Sequence, residues 1–188
     1  MADATARLAR GRASDLPRGL AAISEAVWWV TIVDATLVRY HPDTYDEVLA
    51  AQPSAEGKLT EDILGGLRFV RNRMGQYLDP ADFICPLARQ GVLADSADPA
   101  HPDAPDGPGG SGGSGVDSIT CWTWKALPEP ALDSLPPRGQ AWEMARYRAY
   151  QATLAGRPVG MVFDRAAAFL RLAAAQAVEA AGAVAWAG

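Results

Sequence analysis

The chain has 188 residues, 49% of them hydrophobic, with 17 basic and 22 acidic side chains and a formal charge of −5. That length and apolar content suit one core, and a single helical domain over residues 1–188 is expected. Two cysteines, Cys85 and Cys121, without CxxC spacing, and only two histidines exclude a zinc site of ordinary composition, so no metal is expected.

The acidity is concentrated in the middle of the chain. Residues 1–78 carry 9 basic and 10 acidic side chains, residues 79–118 carry 1 and 7, and residues 119–188 carry 7 and 5. The acidic total is therefore weak evidence against RNA binding, and no basic stripe argues for it. Arg7, Arg10, Arg12 and Arg18 are followed by no compact apolar segment with a small-residue cleavage site. The longest apolar run, Ala26 to Val33, is broken by Thr31 and is far too short to span a bilayer. A cytoplasmic protein with reduced thiols and no membrane partner is expected.

Residues 1–14 are rich in Ala and Arg and predict a flexible N-terminus. Ser14 or Asp15 offers an N-cap for a helix to about Tyr40, with Pro17 tolerated in its first turn. Its core stripe is Leu16, Leu20, Ile23, Val27, Val30, Leu37 and Val38, while Trp28, Trp29 and Ile32 point elsewhere. A helix apolar on more than one side is central in a bundle or covered by a second subunit. Asp34 interrupts this stripe. A buried carboxylate must be protonated or paired, and Arg71 is the expected partner because a guanidinium grips a carboxylate bidentately. Such a pair is either a structural salt bridge or a device for aiming Arg71. His41 continues the stripe two turns on and reads as a helix-end residue or a ligand-binding group.

Pro42 and Asp43 open a short helix to about Gln52, which Pro53 stops. The strongest helical pattern follows over residues 59–78, where Ile63, Leu67, Val70, Met74 and Tyr77 recur at spacings of 4, 3, 4 and 3. Thr60 is the expected N-cap, Glu61 and Asp62 suit the first turn, and Arg68, Arg71 and Arg73 suit the other end. The Gly65–Gly66 pair is tolerated in a helix only if another helix or backbone approaches closely. Arg68, Asn72 and Gln76 line the face opposite the apolar stripe, with Arg71 on its flank, and read as a solvated surface or a ligand-binding cluster.

Beyond Asp79-Pro80, Phe83 to Cys85 predicts a short strand or packed turn. Residues 94–118, rich in Pro, Asp, Gly and Ser, predict a long flexible linker or disordered loop that joins two halves of one core. Ile119 to Lys125 alternates like a strand, with the Phe83–Cys85 region as its pairing candidate. Trp122 and Trp124, on one side of that strand, either cover a core edge or stack on a planar ligand such as a nucleobase. Helices are then expected at about 138–155, ended by Gly156, and at about 158–181 after Pro158. The predicted fold class is all-α: an antiparallel four-helix bundle with an extra short helix and a small two-stranded β accessory.

No Walker loop, GxSxG, HExxH or dinucleotide fingerprint is present, and no cofactor is expected. Arg71-Asn72-Arg73-Met74-Gly75-Gln76 resembles the R-N-x-x-x-H motif of the HEPN superfamily of small helical bundles. Arg71 and Asn72 match the motif, and the resemblance implies a metal-independent RNase acting as a homodimer, in which Arg71 and the residue at the His position of two protomers meet at an RNA phosphodiester. Gln76 stands where the family has its His. An amide donates and accepts hydrogen bonds but does not exchange a proton near neutral pH, which rules out general acid–base work there. Two functions follow. One is a degenerate HEPN-like protein that binds RNA or a nucleotide near Arg68, Arg71, Asn72 and Gln76. The other is a non-enzymatic interaction module in which Arg71 and Asp34 are structural and Trp28 and Trp29 meet a protein partner.

Overall fold

The computed structural model describes residues 16–74, 78–88 and 120–186, which are predominantly helical. Its elements are α1 (Leu16–Tyr40), α2 (Pro42–Ala50), α3 (Ser54–Met74), α4 (Pro80–Phe83), β1 (Ile84–Ala88), β2 (Thr120–Trp124), α5 (Pro137–Thr153) and α6 (Val159–Trp186). The expected flexible N-terminus, the whole of the expected linker, Gln76 and Tyr77 lie outside the described residues.

In α1, Ile23, Val27, Val30, Asp34 and Leu37 are buried at alternating four- and three-residue steps, the stripe of a one-sided helix. By length and composition the helix is long and apolar enough to cross a membrane, but this stripe packs inside the bundle. Pro42, at the start of α2, supplies a φ suited to a first turn and lacks an N–H that would have no helical partner. Pro53 breaks the chain again, and its carbonyl accepts from the amides of Glu56 and Gly57 as α3 starts.

Helix α3 begins five residues before the sequence pattern places it, at Ser54. Thr60 is thus not its N-cap. It is buried inside the helix, where its hydroxyl donates to Glu56 O at 2.9 Å and to Gln52 Oε1 at 3.1 Å. Ile63, Leu67 and Val70 form the expected stripe, but Leu64, Gly66 and Phe69 are also buried, so α3 packs on two sides. It lies between α1 and α5. The glycine pair explains the second contact, because a Cβ built on Gly66 would stand 3.0 Å from Tyr150 Cα and 2.8 Å from Leu154 Cδ1. Residue numbers fall on α1 and α5 as they rise on α3 (Asp34 to Arg68, Trp28 to Arg71; Glu143 to Arg73, Leu154 to Gly66), so both neighbours run antiparallel to it.

The expected strand pairing is present. Strands β1 and β2 are antiparallel, with Ile84 opposite Trp124, Cys85 opposite Thr123 and Leu87 opposite Cys121. Cys85 is a free thiol. The Trp124 amide donates to Arg157 O at 3.0 Å and its carbonyl accepts from Gly156 N at 2.8 Å, which ties β2 to the turn between α5 and α6. Gly156 makes that turn with φ +74°, a backbone region that glycine enters without steric cost.

Tyr150 is the aromatic centre of the core. Its ring meets Phe69 at 5.6 Å, Phe83 at 6.2 Å and Trp124 at 6.4 Å, and thereby joins α3, α4, α5 and β2. Full burial of large apolar side chains such as Phe69, Phe83 and Phe163 contributes roughly 1.5–3 kcal/mol each. Helix α6 closes the bundle through Val162, Phe163, Ala166, Phe169, Leu170 and Ala173, and its alanines let α1 and α2 pack closely.

Candidate functional site

The polar residues of α3 divide among three neighbours. Arg68 turns to α1, where its Nε donates to Asp34 Oδ2 at 2.5 Å and its Nη2 to Asp34 Oδ1 at 2.8 Å. Tyr45 of α2 completes the group, its hydroxyl donating to Asp34 Oδ1 at 2.9 Å. Asp34 is therefore paired, as its place in the stripe requires, but with Arg68 and not with Arg71. The reason is axial level: on antiparallel helices Arg68 stands beside Asp34, whereas Arg71 lies a turn further on, beside Trp28. Arg68 is thus no solvated opposite-face residue. Burial alone would lower its pKa, but the hydrogen bonds and charge of Asp34, with Tyr45 adding, outweigh it and hold the guanidinium above its usual value. Burial, then the Asp34 charge and hydrogen bond, keep the Tyr45 hydroxyl protonated well beyond its ordinary range.

Arg71 is placed differently. Its guanidinium carbon sits 4.6 Å from the centroid of the Trp28 ring, a cation–π contact. Trp28 remains 51% exposed and its neighbour Trp29 48%. Among the described residues Arg71 has no hydrogen bond or ion pair, so its five N–H donors are unspent there.

Asn72 and Arg73 turn to α5 instead. Asn72 Nδ2 donates to Glu143 Oε2 at 3.4 Å, and Arg73 Nε lies 3.3 Å from Glu143 Oε1. Glu143 is a buried carboxylate that Arg146 also approaches, at 3.7 Å. Asn72 is thus half-buried and held, not solvated. Sequence reasoning passed over Glu143 and Tyr45. The signal for Glu143 is that it is the only acid in the 137–153 helix among bulky aromatic neighbours.

Of the two readings of Trp122 and Trp124, the structure shows the core edge. Trp122 is 5% exposed and Trp124 1%, and Trp124 packs on Tyr150 and Phe163, so neither offers a free face to a nucleobase. A Cβ built on Gly19 of α1 would come within 2.6 Å of the Trp122 ring, the close packing that covers it. His41 also stands apart. Its backbone links α1 to α2, accepting from Tyr45 N at 2.9 Å, and the residue borders an apolar groove of about 330 Å³ between α1 and α6. No hydrogen bond joins it to Asp34, Arg68 or Arg71.

Among the described residues no cluster of His, Cys, Asp or Glu is arranged to hold a metal ion. The expected site thus resolves into a buried Asp34–Arg68–Tyr45 group, a buried Glu143 group, and one surface pair, Arg71 and Trp28. The chain matches no family model, and no curated protein and no solved structure matches it significantly.

Proposed function

We propose that this chain is a HEPN-like helical module that binds RNA or a nucleotide, with nuclease chemistry weak or absent. The observation that carries the reading is the Arg71 guanidinium above the half-exposed Trp28 indole, its donors unspent on the described residues. A phosphate accepts from a guanidinium in its plane, while a base stacks on an aromatic face, so the pair offers both contacts of a single-stranded nucleotide. The Asp34–Arg68 pair beneath it fixes α3 against α1 and thus the spacing of Arg71 and Trp28. With Gln76 at the family's His position, the arrangement supports binding over proton transfer.

The test is fluorescence anisotropy of a labelled single-stranded RNA with wild type, Arg71→Ala and Trp28→Ala. Both variants are expected to weaken binding about tenfold while retaining the wild-type melting temperature. A cleavage assay of Gln76→His is expected to show gained RNase activity. Wild type that fails to bind RNA, or Arg71→Ala with unchanged affinity, overturns the proposal.

A second reading has its own observation. Trp28 and Trp29 are adjacent, half-exposed indoles on the longest apolar helix of the first half, a surface that suits a protein partner or a second copy. Under this reading the RNA assay is blank, and Trp29→Ala shifts the sedimentation coefficient from dimer to monomer.

A further inference from the structure

A cleft of about 440 Å³ opens where the end of α3, helix α4 and the extended segment 126–130 meet. Its size falls in the range of small-molecule sites, roughly 300–1,000 Å³. Phe69, Leu78, Leu127, Pro128 and Pro130 give it apolar walls, and among the described residues its charged members are Arg73, Asp82 and Glu129.

The walls are held in place before any guest arrives. Segment 125–130 belongs to no helix or strand, yet Lys125 N donates to Phe83 O at 2.7 Å and Tyr147 Oη to Leu127 O at 2.9 Å. Gln151 Nε2 donates to the same Leu127 carbonyl and Tyr150 Oη to Lys125 O. Three side chains of α5 thus fix a stretch that has no ladder of its own, and a rigid wall lowers the ordering cost of binding.

The charges differ in what they can offer. Arg73 is the most covered, with 12% of its side chain exposed, and its positive charge is met by Glu143 at 3.3 Å and by the Phe69 ring at 5.6 Å. Asp82 and Glu129 are exposed. Asp82 spends Oδ2 on Asp79 N, at 2.9 Å, and Glu129 has no hydrogen bond or ion pair among the described residues. Lys125, whose ammonium donates to Ala81 O at 2.8 Å, does not line the cleft. Among the described residues, a guest meets an apolar slot with two exposed carboxylates beside it and a mostly covered guanidinium that faces Glu143.

We infer that this cleft binds a small organic cation, an ammonium carried on a ring or a branched apolar body. The body lies between Phe69 and the Pro128–Pro130 wall, and the ammonium faces Glu129 and the open oxygen of Asp82. The site does not rest on the RNA-binding reading, since neither Arg71 nor Trp28 lines it.

Calorimetric titration of the full chain with phenethylammonium, phenethyl alcohol and phenylacetate tests the inference. The three share a ring and differ in charge. Phenethylammonium is expected to bind saturably, about fivefold to tenfold tighter than the alcohol, with phenylacetate weakest. Glu129→Gln is expected to weaken it about fivefold, and Ala126→Trp, which fills the cleft from an exposed position, to abolish it. No saturable binding of the ammonium, equal binding of the carboxylate, or unchanged affinity in either variant overturns the inference.

Discussion

Arg68 grips Asp34 with two hydrogen bonds, Nε to Oδ2 at 2.5 Å and Nη2 to Oδ1 at 2.8 Å, across the contact between α3 and α1. The carboxylate is wholly buried, while about a third of the Arg68 side chain reaches solvent. That asymmetry decides what each substitution costs. Arg68→Met strands a buried carboxylate and is expected to cost about 3–5 kcal/mol in urea denaturation. In Asp34→Leu/Arg68→Met the charge has gone, and the double variant is expected to be more stable than Arg68→Met alone. A double variant that loses as much as the sum of the singles would refute this account.

Tyr45 and Tyr150 make stability fall at alkaline pH. Burial, then Asp34, raises the Tyr45 value, and burial, then the charge of Cys85, raises that of Tyr150. The folded state therefore keeps phenolic protons that the unfolded chain gives up near about pH 10. Their contribution is complete below that pH and declines as pH rises beyond it toward the folded values. Urea midpoints are expected to drop above about pH 10, and less steeply in Tyr45→Phe. At neutral pH Tyr45→Phe is expected to cost about 1–2 kcal/mol through the lost bond to Asp34.

Two adjacent glycines respond in opposite directions. At Gly66 an added methyl meets Tyr150 Cα at 3.0 Å and Tyr150 N at 3.2 Å, backbone atoms that do not yield. Gly66→Ala is expected to destabilise by about 1–3 kcal/mol. At Gly65 the nearest atom is Ala149 Cβ at 3.5 Å, an ordinary contact. Gly65→Ala is expected to stabilise by up to about 1 kcal/mol through helix propensity. Thermal melts of the two single variants distinguish them directly.

Arg71→Ala separates surface from scaffold. Its one described contact is the cation–π pair with an exposed Trp28, worth about 0.5–1 kcal/mol. The variant is expected to lose no more than that in urea denaturation and to alter the emission of Trp28. A loss of several kcal/mol would make Arg71 a structural residue.

The helices were legible where periodicity and proline agree: α1 ends before Pro42, α2 before Pro53, and both show a buried stripe. The β1–β2 pairing was legible from one alternating run and the need of its backbone for a partner. The start of α3 was not, because Gly57 weakens the helical signal and Thr60-Glu61-Asp62 imitates a cap. The partner of Asp34 was not legible either. Arg68 and Arg71 lie on neighbouring flanks of one helix, and only the register between helices, which no single-helix pattern contains, chooses between them. That Trp122 and Trp124 cover a core edge was one of the two readings open, and the covering of β2 by α6 and the turn at Gly156 selects it.

The ladder that sets Ala88 opposite Thr120 also brings the two ends of the intervening 31 residues side by side, so two separate pieces can meet in the same register. One piece ending beyond residue 88 holds α1 to α4 and β1. Another beginning before residue 120 holds β2, α5 and α6. Each alone leaves a facing surface bare, the first around Phe69 and Gly66, the second around Tyr150 and Leu154. Co-expressed as separate polypeptides, the two are expected to co-purify and to regain the helical circular dichroism of the intact chain, a split protein whose halves complement each other.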